Sequence, residues 1–368
     1  MRAYIDGSTA IVLGALDAGC DFFAGYPITP ASSILMSMMR DLPRAGGVAV
    51  QGEDEIASIG MCLGAALAGS RAMTATSGPG LSLYSENLGL AIMGEVPLVV
   101  IDVQRMGPAT GGATTVAQGD VQFVRWGTSG GYPIIALAPS TIGECYTLTM
   151  KAFDLAERFR TPVFLLTDKD LNLTMGTVEL DDFTRVEVRD RAIDHEPDVM
   201  YRYDPADETT PMVRYGTGRP VRFTGSTHDE HAFITKDPAT VEALNRHLID
   251  KIERHRDEIE LVNADLQDGA RTLVVSYGST AAAVRTAIHS LRGKGEAVSM
   301  ITLGSLWPIP ETALAEAMTG VERIIVAELN PGLYAREIDR IAGDRTVVPV
   351  TRIDGEMLTP GQITGAFA

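Results

Sequence analysis

The feature that most constrains the fold is an alternation, along residues 8–168, of short apolar runs with longer segments of helical periodicity. Short, nearly continuous apolar runs are typical of strands buried on both faces, and the longer segments suit helices that cross between parallel strands. The strands are predicted at 21–25, 48–51, 72–76, 98–103, 134–137 and 163–167, and the helices at 9–18, 33–41, 54–67, 81–93 and 140–158. We therefore predict a doubly wound α/β domain that binds its ligands at the carboxyl ends of its strands.

Residues 176–268 interrupt this alternation. They carry 22 acidic and 12 basic side chains, with little periodicity before a charged helix that we predict at 238–261. The α/β pattern then resumes, with strands predicted at 272–276, 298–303 and 323–328 and helices at 280–291 and 312–318. We therefore predict three regions: a doubly wound parallel-sheet domain at 1–175, an acidic connector at 176–268, and a smaller α/β domain at 269–368.

The overall charge and the cysteines exclude several function classes. The 368 residues carry a formal net charge of −17, which repels phosphate backbones and anionic lipid, so we expect neither nucleic-acid nor membrane binding. Cys20, Cys62 and Cys145 lie far apart and form no metal-binding motif, as expected for buried residues in a reducing compartment. We expect a cytoplasmic protein without a metal site on this chain.

The first candidate loop is Gly-Tyr-Pro-Ile-Thr-Pro-Ala-Ser-Ser at 25–33, which follows a predicted strand. It contains Tyr26, Pro27 and Thr29, and its two prolines stiffen the backbone around the threonine hydroxyl. That hydroxyl is suited to contact with a substrate, and equally to capping the helix that follows.

The next two loops carry acids and glycines. In Gln-Gly-Glu-Asp-Glu at 51–55, Gln51 and Glu53 stand at a strand-to-helix transition. Acids there offset the helix dipole, but a carboxylate aimed into a cleft would also have a raised pKa and could exchange a proton with a bound heterocycle. In Thr-Ser-Gly-Pro-Gly at 76–80, glycines including Gly78 let the backbone approach a ligand, although no dinucleotide or P-loop fingerprint is completed.

The fourth loop, at 104–120, is long and rich in Gly and Thr. Arg105 comes directly after a buried strand, and Thr110 follows within the same loop. An isolated arginine in this position is suited to binding a carboxylate substrate, and the alternative is an ion pair with Asp102 or Asp120.

Taken in order, five motifs resemble those of the α subunit of 2-oxoacid:ferredoxin oxidoreductases, most closely the 2-oxoglutarate type. They are Gly-Tyr-Pro-Ile-Thr-Pro-Ala-Ser at 25–32, Gln-Gly-Glu-Asp-Glu-Ile-Ala at 51–57, Thr-Ala-Thr-Ser-Gly-Pro-Gly at 74–80, Asp-Val-Gln-Arg at 102–105 with Gly-Pro-Ala-Thr-Gly at 107–111, and Gln-Gly-Asp at 118–120. The resemblance extends over essentially the whole chain, because segments at 225–230, 278–280 and 306–308 also match.

This resemblance implies a thiamine diphosphate enzyme, with a pyrimidine-binding first domain and a last domain like the carboxyl-terminal domain of transketolase. Glu53 would hydrogen-bond N1′ of the aminopyrimidine, with Gln51 as a neighbour. Thr29 would contact substrate or cofactor, and Arg105 would hold the substrate carboxylate. The cofactor is further expected beside Tyr26, Pro27 and Gly78, and the substrate beside Thr110. The implied reaction converts a 2-oxoacid, which we expect to be 2-oxoglutarate, and coenzyme A into acyl-CoA and CO2, with electrons passed to ferredoxin.

One signature of thiamine enzymes is absent from the sequence. The diphosphate and Mg²⁺ motif begins Gly-Asp-Gly, whereas Gly119-Asp120 is followed here by Val121. We therefore expect a β subunit to supply the Mg²⁺, the diphosphate contacts and an iron–sulfur cluster, with γ and ferredoxin-like δ subunits completing the complex. Two alternatives are a β-type subunit of a lipoamide-linked 2-oxoacid dehydrogenase and a non-catalytic nucleotide- or flavin-binding electron-transfer module.

Overall fold

The computed structural model describes residues 1–194, 199–203 and 209–367, and these residues form two α/β units. The strands are β1 (Arg2–Ile5), β2 (Phe22–Gly25), β3 (Val48–Gln51), β4 (Ala72–Thr76), β5 (Leu98–Gln104), β6 (Ile135–Leu137), β7 (Pro162–Asp168), β8 (Gly176–Glu179), β9 (Val262–Asp265), β10 (Thr272–Ser276), β11 (Val298–Leu303), β12 (Ser305–Trp307), β13 (Arg323–Glu328) and β14 (Thr346–Thr351). The helices are α1 (Gly7–Asp17), α2 (Ser32–Asp41), α3 (Glu55–Leu67), α4 (Gly78–Leu83), α5 (Ser85–Met93), α6 (Val121–Trp126), α7 (Ile142–Phe159), α8 (Lys169–Leu173), α9 (Pro238–Glu253), α10 (Arg256–Ile259), α11 (Thr280–Arg292), α12 (Glu311–Ala317), α13 (Ala335–Ile341) and α14 (Pro360–Gly365).

The first sheet has seven strands in the order β12-β6-β7-β5-β4-β2-β3. Neighbouring strands from β6 to β3 are parallel, and every residue of β4, β5 and β7 is buried. Apolar side chains pack on both faces of the sheet, in two separate core clusters. The predicted doubly wound α/β architecture is therefore confirmed.

The second sheet has five strands in the order β14-β13-β10-β11-β9. It is parallel except for β9, which pairs antiparallel with β11 although its residues fall in the segment predicted as connector. Conversely, β12 lies in the predicted second domain but pairs with β6 of the first sheet. Both pairings join residues distant in sequence, which local periodicity does not reveal.

The connector packs against the first unit through buried charges. Arg191 forms an ion pair with Glu157, with both side chains almost fully buried. The helix predicted at 238–261 is α9 followed by the short α10, and α9 is held by Lys251 and His247, which both donate to the buried carboxylate of Glu95. Residues 195–198 and 204–208 of the predicted connector lie outside the described residues.

The structure divides one of the predicted helices and buries the three cysteines. The helix predicted at 81–93 is divided at Tyr84 into α4 and α5. The three cysteines are buried and form no disulfide, as predicted, and burial raises the pKa of the Cys62 thiol to about 12. Within the described ranges, no helix combines the length and the apolar character needed to cross a bilayer.

Candidate active site

The four loops that the sequence singled out lie at one edge of the first sheet. They follow β2, β3, β4 and β5, which are parallel and adjacent in the order β5-β4-β2-β3. Since the carboxyl ends of parallel strands meet at the same edge, the topology brings side chains from four separate sequence motifs together.

Arg105 joins two of these loops. Its guanidinium is almost fully buried, with Nη1 donating to the carbonyl oxygen of Thr29 and Nη2 donating to that of Thr110 at 3.3 Å. Its Nε is buried without a hydrogen-bond acceptor in the described part of the chain. Because an unsatisfied buried donor is costly, an anion bound here would stabilise this arrangement.

The acids at 53–55 have three different environments. Asp54 is the N-cap of α3 and accepts a hydrogen bond from the amide of Ala57 at 2.6 Å. The side chain of Glu53 is exposed, whereas Glu55, the first residue of α3, is only 7% exposed. No hydrogen bond to the Glu55 carboxylate is found among the described residues. The buried acid of this loop is therefore Glu55 rather than Glu53.

Gly80 makes the space that the Glu55 side chain occupies. A Cβ atom at position 80 would lie 2.7 Å from Cγ and 2.9 Å from Oε1 of Glu55, and 2.1 Å from Oγ1 of Thr76. The side chains of Glu55 and Thr76 therefore contact the backbone of the loop at Gly80. This packing fixes the carboxylate of Glu55 next to the loop that follows β4.

A cleft of about 640 Å³ opens between the two α/β units. On the first unit it is lined by side chains and backbone from the loops after β4 and β5, including Gly78, Arg105 and Asp120. The second unit contributes Leu329 and Asn330, which follow the carboxyl end of β13. A partly apolar cleft of this size with few charged groups is typical of a small-molecule site.

Gln118 fastens the two walls of this cleft together. Its backbone amide donates to the carbonyl of Leu329 at 2.9 Å, and its side-chain oxygen accepts from the Leu329 amide at 3.1 Å. The side chain of Asn330 donates to the carbonyl of Gln118 at 2.8 Å and to the hydroxyl of Tyr277 at 2.9 Å. The position of the second wall is therefore set by hydrogen bonds to the loop that carries Arg105.

The structure brings some of the predicted site residues together and leaves others apart. Arg105 and Gly78 line the same cleft, and Arg105 donates to the backbone carbonyls of Thr29 and Thr110. All the predicted residues other than Arg105 and Gly78 are exposed and do not line it; they are Tyr26, Pro27, Thr29, Gln51, Glu53 and Thr110. Their roles stay predictions.

Sequence reasoning gave no ligand-binding role to two acids at this edge of the sheet. Glu55 is one of them; it packs against the loop that follows β4 and does not itself line the cleft, and its place as first residue of a helix after a strand was a signal. The other is Asp120, considered from the sequence only as an ion-pair partner of Arg105, which closes the Gln-Gly-Asp motif and lines the cleft. Among the described residues, no group of three or more His, Cys, Asp or Glu side chains has the arrangement of a metal site.

Two family models match the chain. One, described as pyruvate flavodoxin/ferredoxin oxidoreductase, thiamine diphosphate-binding, matches residues 13–246, which is more than half of the chain. The chain belongs to this oxidoreductase family. The second model, described as pyruvate:ferredoxin oxidoreductase core domain II, matches residues 270–363, the second α/β unit. The predicted family is therefore confirmed, rather than either of the two alternatives.

Similar proteins extend the match over the full length. The chain is 40% identical over 365 residues to the 2-oxoglutarate synthase subunit KorA of Methanocaldococcus jannaschii, covering 99% of this chain and 98% of the relative. It is 35% identical to the ketoisovalerate oxidoreductase subunit VorB of Methanothermobacter thermautotrophicus, covering 96% and 94%.

A solved structure matches the fold closely. It is the 2-oxoglutarate:ferredoxin oxidoreductase from Magnetococcus marinus with 2-oxoglutarate, coenzyme A and succinyl-CoA bound, which aligns with a TM-score of 0.93 at 34% identity. The alignment covers all of this chain and 64% of that one.

Proposed function

We propose that this chain is the α-type subunit of a 2-oxoacid:ferredoxin oxidoreductase that acts on 2-oxoglutarate. The observation that carries the proposal is the 40% identity, over 99% of the chain, to a 2-oxoglutarate synthase subunit. In the oxidative direction the 2-oxoacid loses CO2, the remaining acyl carbon forms a thioester with coenzyme A, and two electrons pass to ferredoxin. The reverse, carboxylating direction uses the same groups.

The residues at the carboxyl edge of the first sheet, beside the cleft, fit one end of thiamine diphosphate. When bound, this cofactor supplies a carbon nucleophile for the keto group of the 2-oxoacid. Glu55 is a buried carboxylate that makes no hydrogen bond within the part of the chain that the structure describes, and it is suited to the aminopyrimidine ring. The described residues offer no comparable metal site for the diphosphate end. We therefore propose that a β subunit holds the diphosphate, Mg²⁺ and an iron–sulfur cluster, with γ and δ subunits completing the complex.

We assign to Glu55 the role that sequence reasoning gave to Glu53. A carboxylate that exchanges a proton with N1′ of the aminopyrimidine must be held in place and shielded from water, because both conditions strengthen the hydrogen bond. Glu55 meets them through its burial and its packing against Gly80, whereas Glu53 is exposed.

Arg105 is proposed to bind the carboxylate of the 2-oxoacid next to its keto group. The carbonyl oxygens of Thr29 and Thr110 orient its guanidinium, and its Nε–H, which finds no acceptor among the described residues, is available to donate to an anion. A planar guanidinium held in this way favours a substrate with a carboxylate over a neutral ketone.

Exchanging each of the two acids for its amide tests the site. In the complete enzyme complex, Glu55→Gln should lower kcat for 2-oxoglutarate-dependent, coenzyme A-dependent viologen reduction by about 10²- to 10⁴-fold, the usual contribution of proton transfer by a side chain. Glu53→Gln is the same chemical change two residues away at an exposed position, and we expect kcat within about twofold of the parent. A large loss in Glu53→Gln with normal kcat in Glu55→Gln would restore the original assignment.

The substrate itself is tested with a panel of 2-oxoacids. The similarity to a ketoisovalerate oxidoreductase subunit supports a branched-chain 2-oxoacid as the second candidate. We expect the highest kcat/KM with 2-oxoglutarate, lower values with 3-methyl-2-oxobutanoate and pyruvate, and no activity without coenzyme A. Preference for the branched substrate would overturn the assignment to 2-oxoglutarate while leaving the family intact.

A further inference from the structure

Buried polar atoms without partners concentrate beside the cleft. In the described part of the chain they include Oγ1 of Thr76, Oγ of Ser77, both carboxylate oxygens of Asp102, and Oδ2 of Asp120. All lie at the carboxyl ends of β4 and β5 or in the loops that follow, with Thr76 directly opposite Asp102 in the sheet. Because most buried polar groups are satisfied in folded proteins, a cluster of exceptions at one place indicates a functional feature.

Asp102 and Asp120 form a carboxyl pair within this cluster. Asp102 lies on the central strand β5 and is fully buried, and Asp120 is held beside the end of the same strand by the hydrogen bond from its amide to the side chain of Gln104. The two carboxyl groups interact directly. Two ionised carboxylates only accept hydrogen bonds, so this contact becomes a bond when one of them carries a proton. Like charges held together in a buried site therefore favour a shared proton.

The electrostatics of the pair agree with this geometry. Burial, together with the neighbouring charge of Asp120, raises the pKa of Asp102 well above its ordinary value. Burial also raises the pKa of Asp120 to about 6, although its hydrogen bond to Asp102 and the charge of Arg105 act in the opposite direction. Within the pair, the proton is therefore favoured on Asp102, because its pKa is raised further than that of Asp120.

The charged groups of the neighbouring elements differ in their partners. Asp168 on β7 accepts from the side chain of Gln118 and from the amides of Leu171 and Ser279. Glu55 on α3 packs against Gly80, and its carboxylate has no hydrogen bond among the described residues. The Arg105 guanidinium is the positive charge that acts on Asp120 from the same loop.

Asp120 also stands at the cleft itself. Its carboxylate lies 3.5 Å from where a Cβ of Gly78 would be, and both residues line the cleft with Arg105. The amide of Asp120 donates to the side-chain oxygen of Gln104 at 3.1 Å, which holds the loop against the end of β5.

We propose that Asp102 and Asp120 share one proton and that Asp120, as a positioning residue, sets the charge beside Arg105, so that binding of an anionic 2-oxoacid is coupled to proton uptake by the pair. The coupling to the 2-oxoacid rests on the proposed function, whereas the shared proton does not. A bound substrate carboxylate adds negative charge next to Asp120 and raises its pKa further. The pair in which both carboxyl groups are protonated therefore binds the 2-oxoacid more tightly than the pair in which Asp120 is ionised.

The consequence is a pH-dependent KM. As the pH rises from near 6 towards the higher pKa of the substrate complex, KM for the 2-oxoacid should increase by up to about tenfold per pH unit, while kcat changes less. A residue with a merely structural role would lower the amount of folded complex without producing this separation of KM from kcat.

The test measures KM for 2-oxoglutarate in the complete complex between about pH 5.5 and 8.5. Asp120→Asn removes the titrating carboxyl at nearly constant shape, and we expect its KM to vary by less than about twofold over this range. Asp268→Asn makes the same change at an exposed loop position and should keep the parent profile. A flat KM profile in the parent complex, or an unchanged slope in Asp120→Asn, would overturn the proposed coupling.

An independent measurement addresses the shared proton without substrate turnover. Infrared spectroscopy of the purified complex at neutral pH should show a protonated carboxyl band that Asp102→Asn abolishes and Asp268→Asn retains. If that band is present while no 2-oxoacid is oxidised, the proposed function fails and the carboxyl pair stands. If 2-oxoglutarate is oxidised normally but Asp102→Asn leaves the band unchanged, the carboxyl pair fails and the proposed function stands.

Discussion

Replacing Gly80 by alanine tests whether the position of Glu55 matters for the reaction. Gly80 lies in α4 with an ordinary helical backbone, so alanine introduces no strain in φ or ψ and acts through its Cβ alone. That atom would lie 2.1 Å from Oγ1 of Thr76 and 2.7 Å from Cγ of Glu55. Ordinary van der Waals contact begins near 3.4 Å, so the hydroxyl must move by about 1.3 Å and the Glu55 side chain by about 0.7 Å.

These displacements set the size of the two expected effects. Overpacking of a buried site costs about 1–3 kcal/mol, so the free energy of unfolding should fall by that amount. A misplacement of about 1 Å in a catalytic group costs about 10²-fold in rate, and we expect kcat to fall by about 10- to 100-fold. KM for the 2-oxoacid should change little, because Arg105 and its carbonyl partners are not contacted by the new methyl group.

The assay is 2-oxoglutarate-dependent viologen reduction by the complete complex, with thermal unfolding measured in parallel. Gly89→Ala in α5 is the control, since a Cβ there would meet no atom within 4 Å. The control should retain kcat and gain about 0.5–1 kcal/mol of stability from the helix propensity of alanine. A normal kcat in Gly80→Ala, with the expected loss of stability, would show that Glu55 tolerates displacement and is not the proton-exchanging acid.

Two further substitutions probe substrate binding and the connector. Arg105→Lys should raise KM for 2-oxoglutarate by about 10-fold or more with a smaller change in kcat, because the point charge of an ammonium does not reproduce the planar, oriented donors of the guanidinium. An unchanged KM would mean that Arg105 is structural. Glu95→Ala should lower the free energy of unfolding by about 3–5 kcal/mol, because it leaves the fully buried ammonium of Lys251 uncompensated, and adding Lys251→Met should recover much of the loss in denaturant titrations. Burial alone would raise the pKa of Glu95, but the charges of Lys251 and His247 hold this pKa well below its ordinary value. The stability that the carboxylate contributes should therefore be lost only as the pH falls below about 4.

Local sequence signals were sufficient for the first sheet but not for its edges. The apolar runs that became β4, β5 and β7 are buried on both faces, and such strands are recognisable from composition alone. The short β12 and β9 were missed or placed in the wrong region, because each is defined by a partner strand far away in sequence. Pairing over such distances depends on tertiary contacts that no window of the sequence contains.

The candidate site shows the same division between local and tertiary information. The motifs identified loops that the structure brings to one edge of the sheet, and Arg105 and Gly78 line one cleft there. They did not distinguish Glu53 from Glu55, because both are acids at a helix start and differ only in burial. Burial is decided by Gly80 and Thr76 on the neighbouring loop, and nothing in the spacing of the acids reports it.

The wall contributed by the second unit is held in shape by hydrogen bonds to its backbone and to the loop that faces it. It consists of the segment Glu-Leu-Asn-Pro-Gly-Leu-Tyr at 328–334. Its geometry is fixed at both ends: Glu328 accepts from the amides of Tyr334 and Ala335, both at 3.0 Å, and Asn330 donates to the carbonyl of Gln118. The side chains that face the cleft can therefore vary while its shape is kept. Under the proposed function, substrate selectivity in this part of the site would depend on the side chains of this wall, and Arg105 on the opposite wall would bind the carboxylate of the 2-oxoacid.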